Sequence, residues 1–171
     1  MTEQPPATGD ADYVAFVVAA WQRHQRLARL LTGDPSSADD LLQDALVKVY
    51  LRWRRLSRAG DPHGYLRRIM VNASTSRWRR GRREYLVDAP PDRPVSIGTG
   101  DHDDLRQALM SLPARQRAVV VLRYYEDLTE RQTAEVMGCS VGTVKSQNAR
   151  ALGRLRALLH DGTEDGRLTR T

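Results

Sequence analysis

The sequence predicts an all-α protein: two small helical domains, an N-terminal helical bundle and a C-terminal helix-turn-helix domain, joined by a flexible acidic linker. Three observations carry this. Apolar residues recur at three- and four-residue spacing through most of the chain, and no long alternating segment appears. Charge divides the 171 residues. Residues 1–85 hold 15 basic and 9 acidic side chains, 86–104 one and five, and 105–160 nine and four. The acidic stretch carries three prolines and two glycines with few large apolar residues, which suits an extended tether. The expected organisation is a disordered N-terminus over 1–11, a domain over 12–85, a linker over 86–102, a second domain over 103–160 and a disordered tail over 161–171.

A first helix is expected from about Ala11 to Leu31, with Val14, Val17, Val18, Trp21, Leu27, Leu30 and Leu31 mostly on one face. Thr32-Gly33-Asp34-Pro35 stops it. Ser36 or Ser37 is placed to cap a second helix, with Asp39 and Asp40 in the first turn, where the helix dipole favours negative charge. That helix continues through Leu41, Leu42, Ala45, Leu46, Val49 and Tyr50 to Trp53. Ser57 to Pro62 reads as a loop. A third helix spans about His63 to Arg83, with Leu66, Ile69, Met70 and Ala73 toward the core. The second block begins with a helix at about 103–111. Pro113 suits the first position of the next helix, which runs to about Tyr125. Thr129 caps a short helix ending at Gly138, and Ser140 caps a longer one. Gly138 suits a left-handed turn, Ala134 is small where the two helices would cross, and Val141 and Val144 point inward. This is the pattern of a helix-turn-helix.

Composition narrows the function. The longest uncharged stretch is Tyr13 to Gln22, far short of the roughly 20 apolar residues of a membrane span, so a soluble protein is expected. The N-terminus lacks the basic start and apolar run of a secretory signal. Cys139 is the only cysteine, which excludes an internal disulfide and a multi-cysteine zinc site and points to the cytoplasm. In the helix-turn-helix turn it reads as a small apolar filler. The histidines, His24, His63, His102 and His160, are scattered, and no nucleophile or phosphate-loop motif appears. No enzyme active site, metal site or cofactor is expected. The net charge of +6 suggests a polyanionic partner. All basic residues but Lys48 and Lys145 are arginines, which suit phosphates and guanine edges, although a GC-rich genome also favours arginine codons.

Three stretches, in order, resemble the extracytoplasmic-function sigma factors, the smallest promoter-specificity subunits of bacterial RNA polymerase. DDLLQDALVKVYLRW (39–53) is similar to the segment that docks on the polymerase clamp. GYLRRIMVNASTSRWRRGRR (64–83) is similar to the helix that reads and melts the −10 element. Residues 112–156 are similar to region 4, which reads the −35 element. The resemblance implies three partners: core RNA polymerase, through its clamp helices and flap, promoter DNA, and in some members an anti-sigma factor.

The residues have their own physical reading. Asp40, Gln43, Asp44 and Val47, with Leu41 beside them, lie at spacings that share a helix face suited to a basic protein partner; the alternative is a solvated surface. Arg77, Arg79, Arg80, Arg82 and Arg83 surround Trp78, so arginines can hold phosphates while an aromatic stacks on an unpaired base, unless Trp78 belongs to the core. The resemblance assigns Asn72 to the flipped −10 base and the loop of Ser57, Arg58, Gly60 and Asp61 to specificity; Asn72 could instead be bonded locally on a helix surface. On the last helix, Thr143, Lys145, Ser146, Gln147, Ala149 and Arg150 are expected outward. Gly142 and Thr143 suit phosphate contact through backbone N–H groups, and Arg154 and Arg156 suit phosphate tracking. The resemblance assigns Lys145, Ser146 and Arg150 to the −35 element. Gln147 stands where arginine is frequent and could read adenine. Asn148 stands where an aliphatic residue is usual. The competing reading is a stand-alone dimeric helix-turn-helix regulator; a nucleic-acid enzyme is disfavoured because no carboxylates cluster for a metal.

Overall fold

The computed structural model describes residues 8–84 and 101–164, which form helices joined by short connections. The elements are α1 (Thr8–Thr32), α2 (Pro35–Tyr50), α3 (Trp53–Ala59), α4 (Pro62–Glu84), α5 (Asp101–Ser111), α6 (Ala114–Val120), a π-helical turn (Val121–Tyr125), α7 (Glu130–Met137) and α8 (Val141–Glu164). The chain divides into two compact units between Ala73 and Ser74, and each stands by itself below. Most of the expected linker lies outside the described residues, but Asp101 and His102 belong to α5. The helices also take in Thr8–Asp10 and 161–164, which the sequence assigned to disordered ends.

In the first unit α1 and α2 form an antiparallel hairpin. Gly33, at φ 91°, makes the turn, and its N–H donates to the Arg29 carbonyl at 2.8 Å. The cap of α2 is Asp34, whose carboxylate accepts from the Ser37 N–H at 2.8 Å; the predicted serine caps are already inside the helix. Pro35 makes this possible, because it fills the first helical position with no N–H to satisfy. The core face of α1 is Phe16, Ala20, His24, Leu27, Ala28 and Leu31. Val14 and Val18 are exposed, contrary to expectation, because Phe16 sets the phase of the helix. Its ring packs 5.0 Å from Trp53 and 4.9 Å from His63, centroid to centroid. Ala38, Leu41, Leu42, Ala45, Leu46 and Val49 of α2 face α1, and Tyr13 Oη donates to the Leu46 carbonyl at 2.8 Å.

The predicted second helix is two helices. α2 stops at Tyr50, Arg52 leaves helical geometry at φ −121°, and α3 begins at Trp53. Trp53 turns in to meet Tyr13 and Phe16. The predicted loop shrinks accordingly: Ser57 and Arg58 lie in α3, and only Gly60 and Asp61 separate it from α4. Gly60, at φ 88°, ends α3, a conformation that penalises any side chain. Asp61 Oδ1 then accepts the Gly64 N–H at 2.8 Å and caps α4. Leu66, Met70 and Val71 of α4 are buried, while Ile69 and Ala73 are half-buried.

In the second unit α6, α7 and α8 pack around Val119, Ala134 and Val144, with Met137 and Cys139 against them. Burying a valine such as Val144 contributes roughly 1.5–3 kcal/mol. Pro113 stands one position ahead of α6 rather than within it. The helix expected to run to Tyr125 widens after Val120: the Glu126 N–H bonds to the Val121 carbonyl at 3.1 Å, five residues back. Arg123 donates to the Leu128 carbonyl, pinning the loop that follows.

Candidate nucleic-acid and polymerase interfaces

The helix-turn-helix is built from local chemistry. Thr129 Oγ1 accepts the Gln132 N–H at 3.2 Å, and Gln132 Oε1 accepts the Thr129 N–H at 2.8 Å, a reciprocal cap that starts α7. Gly138, at φ 60° and ψ 43°, ends it. The Cys139 N–H bonds to the Ala134 carbonyl at 3.1 Å and the Gly138 N–H to Glu135, which closes the turn. Cys139 then sits half-buried against Ala134 and Val144, as an apolar filler would. Ser140 Oγ accepts the Thr143 N–H at 3.1 Å and starts α8.

α8 turns Val144 and Ala151 fully inward. Gly142, Lys145, Ser146, Ala149, Arg150, Arg154 and Arg156 are exposed, and Gln147 is half-buried. Val141 is 38% exposed, contrary to expectation, although it shares the face of Val144; it is the first residue of α8. Thr143 also departs from its prediction. It is half-buried, its N–H is held by Ser140, and its hydroxyl lies 2.9 Å from Ser140 Oγ, so it takes part in the cap of α8. Lys145 Nζ lies 3.7 Å from Glu130 Oε2, an exposed pair that steadies the lysine across from α7. Asn148 is half-buried and donates to Oη of the exposed Tyr124 at 3.0 Å.

In the first unit, Asp40, Gln43, Asp44 and Val47 share the outer face of α2. Leu41 does not; only 1% exposed, it belongs to the stripe against α1. The outer face continues through Tyr50 and Leu51, both exposed, so it mixes carboxylates with apolar surface. Beside Gly60 and Asp61, Ser57 and Arg58 are exposed, and so is Asn72, about three turns further along α4. Arg77, Trp78, Arg79 and Arg80 lie on the helical backbone of α4, but their side chains fall outside the described residues.

Two features escaped the sequence reading. A groove of about 840 Å³ is lined by Asp10, Tyr50, Trp53, Arg52, Arg54 and Arg55. Arg52 donates to Tyr65 Oη at 2.7 Å, with its guanidinium 5.7 Å from that ring's centre. The run Arg52-Trp53-Arg54-Arg55 was the available signal, an aromatic among cations. The second is a histidine pair. His24, wholly buried, places Nε2 3.1 Å from His63 Nδ1. Burial, then His63, Arg23 and Arg67, lower its pKa to about 4. The pKa of His63 is lowered by burial, then by Arg23 and Arg67, with Asp61 opposing.

Among the described residues no group of three His, Cys, Asp or Glu gathers as a metal would require, and no helix is long and apolar enough to cross a membrane.

Comparison with known proteins adds the following. Residues 20–84 match the family model for sigma-70 region 2, and residues 102–155 match that for sigma-70 region 4. The chain is 43% identical over 146 residues to an RNA polymerase sigma-E factor of Streptomyces avermitilis, covering 83% of this chain and 82% of that one. It is 35% identical over 165 residues to the ECF RNA polymerase sigma factor SigM of Mycobacterium tuberculosis, covering 88% and 84%. Its fold resembles the sigma factor RpoE solved in complex with the anti-sigma factor NepR from Bartonella quintana. The TM-score there is 0.67 at 26% identity, over 87% of this chain and 97% of that one.

Proposed function

The chain belongs to the extracytoplasmic-function sigma factors of the sigma-70 family, and from that premise we propose that it binds core RNA polymerase and directs initiation by reading −35 and −10 elements. The observation that carries this is the presence of both regions, in order, in one chain. Each has a matching surface. The Asp40, Gln43, Asp44 and Val47 face of α2 suits the basic, polar clamp helices. The exposed row of α8, Lys145, Ser146, Ala149, Arg150 and Arg154, suits the major groove of the −35 element. Gly60 and Asp61 at the α3–α4 junction, and Asn72 about three turns further along α4, are the candidates for reading a flipped −10 base. The cationic groove along Arg52, Arg54 and Arg55 suits the phosphates of the strand that carries it.

The division of labour follows from energetics. A flipped base costs a few kcal/mol of lost stacking, and one helix-turn-helix makes few base contacts. Docking on polymerase holds both units at a set spacing, so that weak contacts add. The chain itself catalyses nothing in this role and works in the cytoplasm beside the polymerase. An anti-sigma protein is a further expected partner. Pull-down against core polymerase followed by run-off transcription tests the reading: the chain is retained and supports promoter-dependent transcripts. Failure of both would refute it.

A further inference from the structure

We propose that Asn148 is a positioning residue that sets the rotation of α8, through its bond to Tyr124, and so fixes which base edges the outward row of that helix reaches. The proposal rests on the reading of α8 as the −35 reader. Three observations lead to it.

The inward row of α8 runs Val144, Asn148, Ala151, at intervals of four and three. Val144 and Ala151 are wholly buried but small. Small apolar groups hold a helix close to its neighbours and resist its rotation weakly, because dispersion contacts have no direction. Asn148 interrupts the row with an amide. Its Nδ2 donates to Tyr124 Oη at 3.0 Å across 24 residues, while its Oδ1 is buried without a hydrogen-bond partner. A half-satisfied amide is a poor choice for stability, since an aliphatic residue there would continue the apolar row at no polar cost. Tyr124 is 53% exposed, so the bond lies at the edge of the packed row, where a directional contact is suited to fix register at some expense of stability.

Tyr124 lies in the π-helical turn, the one departure from α-helical geometry in the described part of this unit's helices. The wide turn re-aims its hydroxyl relative to a continuous α-helix. That turn is tied at both ends, by the Glu126 N–H to the Val121 carbonyl and by Arg123 to the Leu128 carbonyl. The backbone that carries Tyr124 is therefore held in place.

The geometry gives the consequence. Side chains reach about 5–6 Å from a helix axis, so a rotation of about 15° moves their tips by about 1.5 Å. That exceeds the tolerance of a hydrogen bond. Gln147, next to Asn148, and Arg150, two residues on, would lose alignment with base edges, whereas phosphate contacts, which bend with long side chains, would persist.

The test uses holoenzyme reconstituted with the full chain and a promoter selected in vitro with the wild-type form. The readout is the ratio of affinities for that promoter and for versions substituted in the −35 element. Wild type should discriminate. Asn148→Leu should lower the ratio about tenfold, keep the salt dependence of binding, and leave thermal stability of the free chain equal or higher. Tyr124→Phe should lower the ratio similarly while reducing stability, and the double variant should add no further loss. Full discrimination by Asn148→Leu, or independent losses in the double variant, would overturn the proposal. A wild-type holoenzyme indifferent to the −35 element would instead overturn the reading of α8, and the proposal with it.

Discussion

Acid should loosen the first unit through His24. This side chain is wholly buried on α1 and touches His63 on α4, with Arg23 and Arg67 near and Asp61 facing His63. Its pKa falls from 6.5 to about 4, chiefly through burial. A histidine with a depressed pKa stays neutral in the folded state while the unfolded chain takes up a proton. The folded state therefore holds its full stability above pH 6.5 and loses it as pH falls toward 4. Between pH 7.5 and 5 such a shift costs about 2 kcal/mol. His63, shifted in the same direction, adds to the loss. The assay is urea unfolding of the whole chain at the two pH values. Fluorescence of Trp53, packed on Tyr13 and Phe16, contributes to the signal from this unit. His24→Gln retains a group able to bond His63 and does not titrate. Wild type should lose about 2 kcal/mol more than this variant between the two pH values. Equal losses in both would refute the reasoning.

Four further outcomes follow from the two units. At Gly138 a Cβ would meet nothing within 4 Å, so Gly138→Ala suffers only the left-handed backbone. That penalty, about 1–2 kcal/mol, less the smaller entropy of the unfolded alanine chain, leaves a net loss of about 1 kcal/mol in thermal unfolding. Replacing Asp40 and Gln43 together with alanine should weaken core-polymerase binding in a pull-down titration while changing stability by under about 0.5 kcal/mol, since both are exposed. Arg150→Ala should cost about 1–3 kcal/mol at one or two −35 positions. Arg154→Ala should weaken all sequences alike and flatten the salt dependence, as quantitative gel shifts with holoenzyme would show.

The helix-turn-helix was the most legible part of the sequence, because its signals are local. Thr129, Gly138 and Ser140 act within three residues of where they stand, and each does what its type dictates. Elements defined by distant packing were less legible. Val14 and Val18 have the spacing of a core face, yet Phe16 takes the inside because Trp53 and His63 wait for it there. The break at Arg52 was hidden because Tyr50 and Trp53 both look helical. It follows from Trp53 turning back onto α1. Leu41 was expected beside the Asp40, Gln43, Asp44 and Val47 face, whereas one residue, about 100° of helix, carries it into the stripe against α1. Asp34 takes the cap from the serines because Pro35, which follows it, fills the first helical position. The His24–His63 pair joins residues 39 apart, and the Asn148–Tyr124 bond joins residues 24 apart. No local pattern announces either.

The central claim is that this chain recognises promoters only in company with polymerase. Each unit alone offers few contacts, and opening a −10 base costs several kcal/mol. The most direct measurement compares gel shift and permanganate footprinting of duplex promoter DNA with the chain alone, with core polymerase alone and with both. The account predicts weak, salt-sensitive and unselective binding by the free chain, and sequence-specific binding with reactive −10 thymines only when both are present. Tight, sequence-specific binding of an inverted repeat by the free chain would contradict it and make the protein a dimeric regulator.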